Sequence, residues 1–202
     1  YHNNWALLLD TSMKKDNLKK ASKIQDNYLL CGERMGFKIQ HFNLGNSPLE
    51  YTKEQVNTKI VVLTTTNGTT AIKKCTNAQE ILIGAFCNID ALCNFIKNKR
   101  NVCIVCAGSE GKYSLDDALC AGNIISILCA KKPNVELTDE AFAHKSMYEC
   151  IPNEDIHAFL KKGCKHYSYL EENGFKKDLD YCLLKNTCPV VPVLIGEKIR
   201  LL

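Results

Sequence analysis

The chain has 202 residues, of which 46% are hydrophobic and 24% are charged. This length and this balance indicate one compact globular domain and exclude a disordered, collagen-like or low-complexity chain. The 26 basic and 22 acidic residues leave a net charge of +4, which is too small a surplus for a dedicated nucleic-acid-binding domain.

The strands are predicted from short apolar or β-branched runs that alternate with longer amphipathic stretches. These runs cover residues 5–10, 28–31, 59–65, 80–84, 101–106 and 190–194. Several of the runs are apolar throughout, which is typical of strands that are covered on both faces. The expected fold class is therefore α/β, a three-layer helix-sheet-helix sandwich with a mixed, largely parallel sheet.

The helices are predicted from the amphipathic stretches between and after these runs. They cover residues 14–24, 67–75, 88–98, 114–131, 138–149, 154–162 and 165–184, the last with a break near Gly174. Asn67 and Ser114 are the predicted N-caps of two of them.

The C-terminal third departs from this alternation. From residue 132 to about residue 185 the pattern is mainly helical, and we expect this helical C-terminal region to pack on the sheet within a single domain, residues 1–202. The tail predicts a hairpin around Gly196-Glu197.

The twelve cysteines lie mostly inside apolar runs, and they are too sparse for a small disulfide-stapled scaffold. We interpret them as reduced thiols of a cytoplasmic protein. No apolar stretch reaches the length that spans a bilayer, and we identify no signal segment, so we expect no membrane partner.

Three polar, glycine-containing segments follow predicted strands, where open α/β sheets bind their ligands. In the first, which includes Glu33, Arg34, Asn46 and Ser47, an arginine between glycine-rich turns is suited to a bidentate grip on phosphate or carboxylate. A surface ion pair is the alternative for Arg34. Ser47 either contributes to the site or caps a short helix together with Glu50.

The second segment is Thr64-Thr65-Thr66-Asn67-Gly68-Thr69-Thr70, which leaves an apolar strand and opens a helix. The hydroxyl groups and the exposed helix start around Asn67, Gly68 and Thr69 predict an anion cradle. A capped helix start without a ligand is the alternative. The P-loop spacing is missing.

The third segment runs from Cys106 to Asp117 and enters the longest predicted helix. Gly108 and Gly111 free the backbone to approach a ligand, and Lys112 adds a cation. Glu110, Asp116 and Asp117 are candidate catalytic carboxylates and the candidate ligands of Mg²⁺, with water completing its coordination. Alternatively, the two aspartates only cap the helix that starts at Ser114 and complement its dipole.

Cysteine and histidine chemistry is a secondary interpretation. Cys106 ends a predicted strand, and it is either a nucleophile or a packing thiol. Cys103 and Cys106 form a lone Cys-x-x-Cys spacing, so a cysteine-based metal or redox protein is a third class of function. The five histidines show no metal-pair spacing, and we expect surface or packing roles for all of them.

Four blocks of sequence and a weaker fifth carry a resemblance to a known family. They read LLCGERMGFKIQHFNLGNSPLEYT at 29–52, VVLTTTNGTTAI at 61–72, ILIGAFCN at 81–88, VCAGSEGKYSLDDALCAG at 105–122 and the ending VVPVLIGEKIRLL. In these blocks the chain resembles the 2-phosphosulfolactate phosphatases, the ComB-like proteins.

The resemblance implies a Mg²⁺-dependent phosphoric monoester hydrolase. Its expected substrate is a small, anionic phosphorylated 2-hydroxy acid, (R)-2-phospho-3-sulfolactate in the type reaction of coenzyme M biosynthesis. The sequence does not decide between a monomer and a homo-oligomer. A non-catalytic binder of organic phosphates or carboxylates is the rival hypothesis.

The resemblance also points to two departures from the family pattern. The family continues upstream with a strand and turn resembling Val-Ile-Asp-Val-Leu-Arg-Ala-Thr-Ser, which the given sequence lacks and which we expect the native protein to contain. Thr70 stands where relatives have arginine, so the natural acid is expected to differ if that cation contacts the substrate.

Overall fold

The computed structural model describes residues 6–8, 27–75, 77–151 and 155–202. The chain divides into two compact units, Tyr1–Ile83 with Pro192–Leu202, and Gly84–Val191. The single domain expected from the sequence stays a prediction.

The first unit contains a six-stranded sheet with the order β3-β2-β4-β1-β6-β5. Its strands are β1 Ala6–Leu8, β2 Tyr28–Arg34, β3 Phe37–Lys38, β4 Ile60–Thr64, β5 Pro192–Ile195 and β6 Lys198–Leu201. β2, β4 and β1 are parallel, whereas β3, β6 and β5 run antiparallel to their neighbours. The sheet is therefore mixed as predicted, but a largely parallel sheet in a three-layer sandwich is not confirmed.

Burial explains why the central strands of this sheet were predictable. Tyr28–Gly32 pairs in register with Ile60–Thr64, and Cys31 and Val62 are fully buried. A continuous apolar run stabilises a strand because both of its faces leave water. The predicted hairpin forms between β5 and β6, with a turn at Gly196 and Glu197.

Two short α-helices and one 3₁₀ helix complete the described part of this unit. The 3₁₀ helix is Pro48–Glu50, and the α-helices are α1 Lys53–Val56 and α2 Gly68–Lys74. The helix predicted at 14–24 lies outside the described residues. The strand predicted at 80–84 is reduced to a single bridge between Leu82 and Val193.

The second unit is helical in its described residues. After a 3₁₀ helix at Phe86–Asn88 come α3 Ile89–Ile96, α4 Leu115–Lys131, α5 Asp139–Glu149, α6 Ile156–Gly163, α7 Lys165–Glu172 and α8 Lys176–Cys182. These helices confirm the sequence predictions to within a few residues. The break expected near Gly174 is also present, since this residue has φ +86° between α7 and α8.

The core of the second unit joins α4 to the later helices. Leu119 of α4 is fully buried, and it clusters with Ile156 and Leu160 of α6 and with Tyr167 of α7. Ile156 and Leu160 are four positions apart, so they lie on the same face of α6 and both pack into this cluster.

The strand predicted at 101–106 is wrong, because these residues have no regular secondary structure. Val102 and Val105 are 46% and 54% exposed, so the apolar run is not covered on both faces. An apolar run shows only that burial would be favourable, and a strand also needs a neighbour for its backbone hydrogen bonds.

Among the residues described, we find no helix with the length and apolarity needed to cross a membrane.

Candidate functional site

The carboxyl ends of β2 and β4 lie side by side, with Gly32 opposite Thr64. This pairing brings together two of the three segments that the sequence identified. A side chain on Gly32 would be impossible here, because a Cβ would lie 1.9 Å from the carbonyl oxygen of Thr64, and its φ is +139°. Glycine is therefore required for the close approach of the two strands.

Arg34 is half-buried at this edge of the sheet and spans the two strands. Its Nη2 donates a hydrogen bond to Thr64 Oγ1 at 3.1 Å, and its Nη1 donates to the carbonyl oxygen of Glu33 at 2.6 Å. Contacts on both nitrogens fix the plane of the guanidinium, so its direction is defined before any ligand arrives.

The carboxylate of Glu33 is buried, with 6% of the residue exposed. It accepts hydrogen bonds from the Thr66 amide at 2.6 Å, the Thr66 hydroxyl at 3.0 Å and the Gly36 amide at 2.9 Å. Glu33 thus ties the turn after β4 to the turn after β2.

The threonine-rich segment after β4 is held by its own hydroxyl groups. Thr65 Oγ1 accepts a hydrogen bond from the Thr69 amide, and the buried Thr69 hydroxyl donates to the Thr65 carbonyl. Asn67 occupies the predicted cap position, but no capping hydrogen bond is recorded for its side chain. Asn67 and Gly68 are half-buried, and their predicted contact with substrate stays a prediction, as does that of Thr69.

The segment with Asn46 and Ser47 runs beside the end of β2, because Leu44 bridges Cys31. Ser47 caps the 3₁₀ helix, with its hydroxyl accepting from the Leu49 amide at 3.2 Å. The predicted partner in this cap, Glu50, instead accepts from the Gly45 amide at 2.9 Å. The capping interpretation of Ser47 is confirmed, and substrate contact by Asn46 and Ser47 stays a prediction.

The third segment lies in the second unit and forms a tight turn before α4. Ser109 and Lys112 exchange backbone hydrogen bonds of 3.0 and 2.9 Å. Glu110 and Gly111 form the turn between them with positive φ, and they are exposed, as is Lys112. Two adjacent residues at positive φ are typical of a tight two-residue hairpin turn.

Gly108 connects this turn to α4. Its amide donates a hydrogen bond of 2.7 Å to Asp117 Oδ2. Its φ is +72°, and a Cβ would lie 2.5 Å from the Lys112 carbonyl oxygen. This turn therefore requires glycine, and the Gly108 amide contacts a carboxylate of the same unit. The predicted approach to a ligand stays a prediction for Gly108, as it does for Gly111 and Lys112.

Asp116 has two polar side-chain partners within the second unit. It accepts a hydrogen bond from the Ser114 hydroxyl and lies 3.3 Å from His166 Nδ1. Burial alone would raise the pKa of Asp116, but the hydrogen bonds from His166 and Ser114 outweigh it and lower that pKa to about 2. Asp116 is therefore ionised at neutral pH.

The pKa of Asp117, the next residue, is shifted in the opposite direction. Burial raises its pKa, an effect that the Gly108 amide partly offsets and the neighbouring charge of Asp116 increases. Opposite pKa shifts in two adjacent carboxylates are more typical of a functional site than of a solvated helix end.

His166, in the first turn of α7, is the residue that the sequence missed. It is 50 positions from Asp116 and sits in a lysine-rich stretch that reads as a solvated helix end. No local spacing could have identified it, because the pairing exists only after α4 and α7 have folded together.

Cys106 is exposed and has a raised pKa. Partial burial of its sulfur is the largest cause, followed by the carboxylates of Asp117 and Asp116. A raised pKa lowers the thiolate fraction, and therefore disfavours a nucleophilic role.

In the ranges that the structure describes, no three histidine, cysteine, aspartate or glutamate side chains are arranged to hold a metal ion. Glu110, Asp116 and Asp117 therefore do not form a ready three-carboxylate site. The hard oxygen donors of Asp116 and Asp117 nevertheless fit magnesium, which commonly uses one or two carboxylates together with water and substrate phosphate. Magnesium binding by these residues stays a prediction.

Comparison with known proteins identifies the family. A family model described as 2-phosphosulpholactate phosphatase matches residues 8–197. The chain belongs to the 2-phosphosulfolactate phosphatase family. As the resemblance predicted, a member of this family is an enzyme, a phosphoric monoester hydrolase.

Individual relatives support this membership. Proteins named "Probable 2-phosphosulfolactate phosphatase" occur in Clostridium acetobutylicum, at 42% identity over 179 residues, and in Clostridium botulinum, at 40% over 187 residues. A protein of the same name in Thermotoga maritima is 40% identical over 174 residues. These alignments cover 88%, 92% and 86% of this chain and 75%, 77% and 74% of the respective relatives.

Proposed function

We propose that this phosphatase hydrolyses the phosphate monoester of a 2-hydroxy acid. The proposed reaction converts (R)-2-phospho-3-sulfolactate and water to (R)-3-sulfolactate and phosphate, as in coenzyme M biosynthesis, and takes place in the cytoplasm. The observation that carries the proposal is the family match over residues 8–197, together with relatives of that name at about 40% identity.

The substrate is anionic in all three of its functional groups, so binding requires fixed cations and hydrogen-bond donors. Arg34 supplies an oriented guanidinium at the end of β2. The hydroxyl of Thr64 already accepts from Arg34, and the adjacent segment through Asn67 and Gly68 offers further polar groups. We assign the phosphate or the carboxylate of the substrate to this edge of the sheet.

Magnesium is part of the proposal. Asp116 and Asp117 would hold the ion, since Asp116 is ionised at neutral pH and both carboxylates provide oxygen ligands. Each carboxylate oxygen has more than one lone pair, so existing hydrogen bonds leave capacity for a metal. When bound, the ion would neutralise negative charge on the phosphoryl oxygens.

Water is the proposed attacking group. Phosphoryl transfer depends mainly on positioning and charge neutralisation, and the raised pKa of Cys106 supports water over a cysteine nucleophile. Replacement of Cys106 by serine separates these two routes, since a cysteine nucleophile would lose its thiol and a water mechanism would not.

The proposal is tested by measuring phosphate release from synthetic (R)-2-phospho-3-sulfolactate with the full-length native protein. Parallel reactions contain excess EDTA, then excess Mg²⁺. We expect turnover that EDTA abolishes and Mg²⁺ restores. Binding without turnover across a panel of 2-phospho hydroxy acids would instead support the non-catalytic binder.

A further inference from the structure

Glu33 is an unusually placed carboxylate for a site that receives an anionic ester. It directly precedes Arg34 on β2, yet it is 6% exposed. Its oxygens face into the protein, where they accept three hydrogen bonds, from the Thr66 amide, the Thr66 hydroxyl and the Gly36 amide. Substrate contact is therefore a poor explanation for this side chain.

The donors of Glu33 belong to the two turns that flank Arg34. Gly36 lies in the turn after β2, and Thr66 lies in the turn that leads from β4 into α2. Thr66 is 33 residues from Glu33 in the chain. One carboxylate therefore links two turns that are far apart in the chain.

The main chain of Glu33 also contributes. Its carbonyl oxygen accepts from Arg34 Nη1 at 2.6 Å, while Arg34 Nη2 donates to Thr64 Oγ1 at 3.1 Å. The guanidinium is thus hydrogen-bonded both to β2 and to the start of the threonine-rich segment. If the hydrogen bonds between Glu33 and Thr66 are lost, β2 and β4 stay paired up to Thr64, but the turn beyond Thr64 loses its link to the residues beside Arg34.

We propose that Glu33 is a positioning residue, which holds the Thr66–Gly68 turn in register with Arg34 so that both engage the same anionic group of the substrate. The proposal rests on the proposed function, in which these two elements bind substrate. A charge directed into the protein serves this purpose better than one directed at the ligand, because it orders the donors without repelling the ester.

The test replaces Glu33 with glutamine, which keeps the shape of the side chain but turns one of its acceptors into a donor that faces donors. Glu50→Gln is the matched control, because Glu50 is a half-buried carboxylate of the same unit and accepts from a backbone amide, that of Gly45, at 2.9 Å. The control removes a charge and weakens one local hydrogen bond, since glutamine keeps an oxygen that can accept from the Gly45 amide, and it does not touch the Thr66 turn.

For Glu33→Gln we expect KM to rise by about tenfold or more with kcat reduced by less than about threefold, because the hydrogen bonds that are lost order the binding groups and do not involve the substrate itself. KM of Glu50→Gln should stay within about twofold of the native value. Thr66→Val, which removes one donor and keeps the amide, should raise KM by a smaller factor, and its effect should be less than additive with that of Glu33→Gln.

A second readout does not require turnover. The affinity for inorganic phosphate, measured by calorimetry, should fall in Glu33→Gln and stay unchanged in Glu50→Gln, and the amide proton resonance of Thr66 should move only in the former. Turnover by the native protein tests the proposed function, whereas the ratio between variants tests the role of Glu33. If KM and phosphate affinity change equally in both variants, or in neither, the proposal is overturned.

Discussion

The carboxylate of Asp116 lies 3.3 Å from Nδ1 of His166, which joins the first turn of α4 to the first turn of α7. Ser114 donates to the same carboxylate. The sequence did not predict the part that His166 takes in this three-residue contact.

We expect Asp116→Asn to lower the free energy of unfolding by about 1 kcal/mol, because charge-assisted hydrogen bonds to Ser114 and His166 become neutral ones and the site is partly exposed. Turnover should fall by about 100-fold, because we propose that Asp116 holds the magnesium ion. Urea unfolding and phosphate release measure the two effects. Glu149→Gln, which alters a hydrogen-bonded carboxylate elsewhere in the second unit, should leave turnover unchanged; equal losses in both variants would contradict the assignment.

Gly32→Ala should destabilise the first unit by on the order of 3 kcal/mol, because the added Cβ would lie 1.9 Å from the Thr64 carbonyl oxygen in a backbone conformation that favours glycine. Gly174→Ala separates the two causes, as Gly174 also has positive φ but no atom within 4 Å of a Cβ. Gly174→Ala should lower the free energy of unfolding by only about 1 kcal/mol. Similar losses in the two variants, measured by urea unfolding, would show that β2 and β4 are not packed this closely.

Arg34→Lys should raise KM by about tenfold, because one ammonium group cannot hold both the Glu33 carbonyl and Thr64 Oγ1 while facing an anion. Steady-state kinetics on the phosphorylated substrate measures this change. Arg100→Lys, at an exposed position of the second unit, is the control and should leave KM unchanged. A KM that is insensitive to Arg34→Lys would remove this arginine from the site.

Cys106→Ser should keep turnover within about threefold of the native rate, because the raised pKa leaves little thiolate at neutral pH. Quenched reactions analysed by mass spectrometry supply the second measurement. A phosphocysteine at position 106, or loss of turnover with metal binding intact, would replace water by a covalent route.

The sequence predicted best where local pattern and packing agree. The run around Val62 is apolar because β4 is buried between β2 and β1, and Ser47 caps the 3₁₀ helix that Pro48 begins, as expected of these residue types. The hairpin at Gly196 follows from a glycine that adopts positive φ.

The features that the sequence did not predict depend on contacts between residues that are distant in the chain. Val102 and Val105 read as a buried strand, but no described residue supplies a pairing edge for them, and they are exposed. The sequence places Glu33 in a candidate substrate-binding segment, and that role stays a prediction; the hydrogen bonds from Thr66 to Glu33 could not be predicted, because no spacing rule relates the two residues. The reaction is inferred from the resemblance to the family, whereas the contacts between side chains are visible only in the folded chain.

We propose that this enzyme removes phosphate from a 2-phospho carboxylic acid. The most direct measurement is ³¹P NMR of the full-length protein with Mg²⁺ and (R)-2-phospho-3-sulfolactate, compared with the (S) enantiomer. We predict that the ester signal of the (R) form is replaced by inorganic phosphate much faster than that of the (S) form. An ester signal that persists for both enantiomers, with a folded and metal-supplied protein, would contradict the account.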